Sequence, residues 1–171
     1  MNDFHELLKR LESGTREQTW EAAKQLESII LEICSSLLRE LKEARSADAR
    51  AAAAYVLGFG RFASARTSLE EVLDDVNEKV LVRGHAAEAL AYIQSKESLG
   101  ALLKHINDDN PEVSYWCIFA LGGLGSASAI PVLRQVTKAE PEKFFGDHSL
   151  RAEALEAIAK INEGANTGKT D

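Results

Sequence analysis

Four histidines and two cysteines bound the chemistry open to this chain. His5 is followed directly by Glu6, while His85 with Glu88 and His105 with Asp109 have spacings that put each pair on one helix face. A histidine and a carboxylate supply two ligands where a closed metal site takes about four. The pairs therefore read as solvated charge pairs. Cys34 and Cys117 are far apart, each inside an apolar pattern, and read as buried, reduced thiols that act as small hydrophobes. No GxSxG, P-loop or GxGxxG stretch occurs; Gly58-Phe59-Gly60 and Gly122-Gly123-Leu124-Gly125 read as left-handed caps at helix ends. These residues give no catalytic, cofactor-binding or metal-ligating set, and the expectation is of no enzyme and no cofactor.

The elements that would carry these residues are helices. Of 171 residues, 25 are Ala and 21 Leu, against 3 Pro and 11 Gly. A net charge of −7 opposes general binding to phosphate backbones. No apolar run is long enough to span a membrane, and the charged opening MNDFHELLKRLESG does not read as a secretion signal, so the expected place is the cytoplasm.

The sequence repeats itself. Arg50 to Gly58, Arg83 to Ala91, Ser114 to Gly122 and Arg151 to Ala159 align on small and apolar positions, and a weaker copy starts at Thr19. The unit is about 32 residues long. A second apolar series with spacings of three and four follows each of the first four starts, for example Leu99, Leu102, Leu103 and Ile106, so each of these units reads as a helical hairpin. Thr15 with Gln18 and Thr67 with Glu70 fit capping boxes; Asn110 before Pro111 fits an N-cap, and Pro131 falls in a first turn.

Asp74-Asp75, Val82-Arg83, Ala86-Ala87-Glu88-Ala89-Leu90, then Asp108-Asp109 and Pro111-Glu112-Val113, with Ala129-Ile130-Pro131-Val132-Leu133 opening a second helix, resemble HEAT repeats, in particular the short HEAT-like repeats of the phycobilisome-lyase type. The resemblance covers residues 15 to 163. It implies an all-α, right-handed α-solenoid of about four helical hairpins with half-repeat caps, one domain over residues 1–163 and a flexible tail over 164–171. HEAT-like relatives include deoxyhypusine hydroxylases, whose resemblance implies a di-iron centre held by His-Glu pairs at several repeat starts. Here those places hold Ala52-Ala53, His85-Ala86, Trp116-Cys117 and Glu153-Ala154. The required set is missing, so no metal is expected.

Binding surfaces are the remaining functional signal. Positions two, five and nine of the first helices, opposite the core positions, hold Tyr55 and Phe59, His85 and Tyr92, and Trp116 and Phe119. This stripe serves either as inter-repeat packing or as a partner face. The second-helix face runs from Glu70, Glu71 and Asp74 through Lys104 and Asp108 to Arg134, Gln135 and Lys138, a gradient from acidic to basic. The resemblance implies that this face is concave. The last repeat is longer, and Phe144 and Phe145 in its extra loop either anchor the final helix or present an apolar knob. The expectation is a non-catalytic adaptor or regulator that binds another protein, with self-association open. Two alternatives stand beside it: an acidic inhibitor or immunity-type protein masking a basic effector, and a pigment-attachment subunit resembling a phycobilin lyase.

Overall fold

The structure, a computed structural model, describes residues 2–139 and 141–167. Helix α1 (Asn2–Ser13) packs on α2 (Arg16–Glu43). Thr15 caps α2 as its spacing predicts: its hydroxyl accepts from the Gln18 amide, and the Gln18 side chain accepts from the Thr15 amide. The first copy of the repeat departs from expectation. In place of a hairpin, α2 runs unbroken for 28 residues. Glu32-Ile33-Cys34-Ser35-Ser36 holds no glycine or proline to stop it.

Three hairpins follow: α3 (Ala47–Phe59) with α4 (Arg66–Asp74), α5 (Val80–Ile93) with α6 (Leu99–His105), and α7 (Pro111–Leu124) with α8 (Ile130–Val136). Helix α9 (Leu150–Thr167) closes the stack as a single helix. The first helices α3, α5, α7 and α9 pack side by side in one layer, with the shorter second helices against them. Leu57, Leu69, Leu90, Leu102, Ile118, Leu121 and Leu133 lie wholly buried between the layers. The mostly helical stack is the α-solenoid that the repeats imply. Helix α9 extends through Thr167, into the stretch expected to be a flexible tail; residues 168–171 of that tail lie outside the described residues.

Several local expectations hold and others need correction. Asn110 caps α7 by accepting from the Glu112 amide, Pro111 opens that helix, and Pro131 sits in the first turn of α8. Thr67 and Glu70 form no capping box, because a 3-10 turn over Ala63–Ala65 leads straight into α4, which starts two residues earlier than that box would place it. The same short turn recurs at Lys96–Ser98 and Ala127–Ala129 before α6 and α8. Gly125 takes the left-handed conformation expected of a cap, but at the end of α3 Arg61 takes it and Gly60 does not. Gly58 serves packing instead of capping. A Cβ there would lie 2.4 Å from the Cα of Ala89, so the glycine lets α3 and α5 approach closely.

Arginines at the repeat starts lock successive units. Arg50 donates to both carboxylate oxygens of Glu78 at 2.6 and 2.7 Å and to the Ala44 carbonyl. Arg83 donates to both oxygens of Asp108 and to the Leu73 carbonyl. At the third start Ser114 donates to the Asp108 carbonyl instead. The extra loop of the last repeat forms a small hairpin, β1 (Phe144–Phe145) paired antiparallel with β2 (His148–Ser149). It docks on α7, with Phe145 against Tyr115.

Candidate functional site on the first-helix layer

The side chains of the stripe fall into two groups, Tyr55, Phe59, His85 and Tyr92 on α3 and α5, and Trp116 and Phe119 on α7. Tyr55 stacks on Phe59 at 6.0 Å between ring centroids. Across the helix boundary, Tyr55 meets His85 edge-on at 6.2 Å, and Phe59 meets Tyr92 at 6.5 Å. Trp116 and Phe119 form a second T-shaped pair on α7 at 5.7 Å. Burial grades along the stripe: Phe59 is 69% and Tyr55 41% exposed, whereas His85, Tyr92, Trp116 and Phe119 are half-buried. Part of the stripe is thus packing between repeats and part is open surface.

Glu88 lies within this group, between His85 and Tyr92 on α5. Its carboxylate pairs with His85 Nδ1 at 2.8 Å and accepts a long 3.4 Å hydrogen bond from the Tyr92 hydroxyl. Burial, followed by the negative charge of Glu88, pushes the Tyr92 hydroxyl above its ordinary range. Glu88 is only 7% exposed while His85 is half-buried, so the carboxylate of this pair lies out of solvent, unlike the fully solvated pair that its spacing alone suggests. A stripe read by hydrophobicity passes over Glu88. The signal that marks it is register, since it occupies the same repeat position as Tyr55 and Phe119.

The second-helix face behaves differently. Asp74 binds Lys104 at 2.9 Å and His105 Nε2 at 2.5 Å, and Glu71 binds Lys42 at 3.1 Å. His105 is buried and faces Asp74 and Asp108; its expected pairing with Asp109 is replaced because the chain turns after α6 and brings Asp108 beneath the ring. Burial pushes the Asp74 carboxyl up, but Lys104 and His105 outweigh it and hold the group below the ordinary range. Burial acts likewise on Asp108, where Arg83, the Asn110 amide and His105 together outweigh it. Arg134 and Lys138 are exposed, so the acidic start of the gradient is largely neutralised while its basic end faces solvent. Phe145 anchors the small hairpin through Tyr115 and His148, and Phe144 is half exposed. Cys34 and Cys117 are both buried free thiols, and burial pushes the Cys117 thiol far up, away from any nucleophilic role.

The residues present do not fit the di-iron centre that the resemblance implies. Of the four repeat starts, His85 alone supplies a histidine, and it is committed to Glu88. Among the described residues no three His, Cys, Asp or Glu side chains gather as a ligand group. No helix among them is long and apolar enough to cross a membrane.

A family model described as HEAT repeats matches residues 68–159, more than half of the chain. The chain belongs to the HEAT-repeat family. Curated relatives of this HEAT-repeat chain are enzymes. It is 41% identical over 80 residues to deoxyhypusine hydroxylase-B of Oryza sativa subsp. japonica, covering 47% of this chain and 26% of the relative. It is 41% identical over 71 residues to deoxyhypusine hydroxylase of Mus musculus, covering 42% and 24%. With the Candida albicans deoxyhypusine hydroxylase it shares 45% over 56 residues, covering 33% and 18%. The chain thus spans about a quarter or less of the length of these relatives. These matches overturn the expectation of a non-enzymatic adaptor: the three relatives are enzymes of one kind, and none is an adaptor, an inhibitor or a pigment lyase. Spacing and composition point away from an enzyme because the metal-pair positions are empty. The likeness resides in the repeat framework, which those positions do not report.

Proposed function

We propose that this chain acts in the hydroxylation for which its relatives are named, as a HEAT-repeat stretch that holds the protein substrate. The observation that carries this reading is the 41% identity over 80 residues to an enzyme of that name. The metal that oxygen chemistry of this kind employs would be held by donors outside the described residues, since these do not assemble a ligand group. The chain's own contribution is then binding and orientation by the packed layer of first helices, a rigid surface fixed by the arginine locks between repeats. The repeat length of about 32 residues supports placing these repeats with the short HEAT-like repeats of the phycobilisome-lyase type.

The deciding experiment is titration of the purified chain with a protein carrying deoxyhypusine and with the same protein lacking it. Binding at least about tenfold tighter to the modified form, the worth of a good charge-assisted contact, is the expected result. Equal affinity for both forms, or none for either, overturns the reading. Formation of the hydroxylated product by the chain alone with iron(II) would overturn the placement of the donors outside it.

A further inference from the structure

The first half of α2 carries a face that no other described element covers. Trp20, Lys24, Glu27 and Leu31 follow one another at spacings of four, three and four, which at 3.6 residues per turn sets them in one straight stripe. Ala22, the buried residue of this half, falls on the opposite side of the helix. Only from Cys34 onward does α2 join the main core. All four stripe residues are exposed, Trp20 by 63% and Leu31 by 61%, and Ile30 on the border of the stripe is 51% exposed. Among the described residues Lys24 and Glu27 take part in no ion pair, unlike Lys42, which binds Glu71 near the other end of the helix.

We propose that this stripe pairs with the same stripe of a second copy of the chain, the two α2 helices running antiparallel about a two-fold axis between Gln25 and Leu26. The order apolar, cation, anion, apolar complements itself when reversed. In that register Trp20 meets the partner's Leu31 and Lys24 meets the partner's Glu27, and the symmetry makes each contact twice. The spacing is that of alternating seam positions in a coiled coil, where the two kinds of position face each other across an antiparallel pair. A parallel pair would set Lys24 on Lys24 and Glu27 on Glu27, so charge selects the antiparallel one. An unrelated helix would need the same order of charges by coincidence, whereas a second copy has it by identity. With the stems of Lys24 and Glu27, the stripe and Ile30 offer about 600 Å² per copy, and a pair then buries about 1,200 Å², the lower end of what specific interfaces bury. The inference stands apart from the hydroxylation proposed above, because the stripe lies outside residues 68–159, which match the family model.

Sedimentation equilibrium of the full chain tests this. A reversible monomer–dimer equilibrium with a dissociation constant of about 1–100 μM is expected. Trp20→Ala removes the largest group from the contact and should weaken the dimer at least about tenfold. Lys24→Glu and Glu27→Lys each bring like charges together twice and should weaken it about tenfold. These positions are exposed, and circular dichroism melting confirms that each variant is folded. Mixing the two single variants, or placing both substitutions in one chain, restores opposite charges at both contacts and should return the affinity to within about threefold of the original. A chain that stays monomeric up to about 1 mM overturns the proposal. A dimer of unchanged affinity in folded Trp20→Ala overturns it too, by placing the contact elsewhere. A doubly substituted chain as weak as the single variants rejects the antiparallel register.

Discussion

Arg83 and Asp108, which flank α6 in sequence, close a buried ion pair in which the guanidinium also holds a main-chain carbonyl. Nη2 lies 2.5 Å from Asp108 Oδ2, Nε lies 3.0 Å from the Leu73 oxygen, and the His105 ring stands 3.4 Å away. One side chain thereby ties the end of α4 to the turn leading into α7.

Replacing Arg83 by Ala should destabilise the chain by about 3–5 kcal/mol, because it strands a buried carboxylate and leaves the Leu73 carbonyl without its donor. Urea unfolding at neutral pH measures this. A loss below about 1 kcal/mol, the worth of an exposed pair, would show that the lock is not holding the joint.

Stability should fall with acid. The Asp74, Glu78 and Asp108 carboxyls are all held below their ordinary range in the folded chain, Glu78 by its hydrogen bonds from Arg50. Groups depressed on folding contribute stability that is fully present above the unfolded value, about 4, and is lost as pH falls through the folded values. Glu153 runs the other way: burial, then the charge of Glu156, raises its carboxyl, so its contribution is lost as pH rises through the folded value. The urea midpoint should therefore hold near neutrality and drop below about pH 4, with a shallower drop in Asp108→Asn. A flat midpoint down to about pH 3 would contradict the assignment.

Two glycine substitutions should differ in sign. At Gly58 an added methyl meets the Ala89 backbone at 2.4 Å, so Gly58→Ala should cost about 1–3 kcal/mol by forcing α3 from α5. Gly100, inside α6, has nothing within 4 Å of such a methyl, and Gly100→Ala should stabilise by about 0.5–1 kcal/mol. Thermal melting of both variants decides it; equal shifts would refute the close approach.

Cys117 should resist thiol reagents in the folded chain, because its thiol is buried and far from ionised. Colorimetric titration of both cysteines should show labelling only as urea unfolds the protein. Rapid labelling of Cys117 in buffer would mean that α7 opens locally.

The repeat layer is legible in the sequence because its small and apolar positions recur at fixed offsets, and the Asn110–Pro111 start and the Thr15 cap are readable from local chemistry. The unbroken α2 is not: its apolar positions at Leu26, Ile29, Leu37 and Leu41 suit one long helix as well as two short ones, and the absence of a breaker decides between them. His105 illustrates a second limit. Spacing names Asp109 as its neighbour, while the turn after α6 brings Asp108 and the distant Asp74 to the ring. The aromatic stripe is found by residue type, which passes over Glu88 at its centre. The relation to hydroxylases is obscured for a similar reason, since attention to metal-pair positions tests one site and not the framework around it.

The unbroken helix α2 has a mechanical meaning. At 1.5 Å per residue it is about 42 Å long, roughly twice the length of the first helices beside it. Cys34 and Leu41 in its last third are buried in the core, while Trp20, Ile30, Leu31 and Ile33 stand exposed along the rest. The helix is a lever clamped at one end, with α1 riding on its far arm. By geometry alone, a force at Trp20 would act on the joint between α2 and the first repeat over a longer arm than one at Ile33.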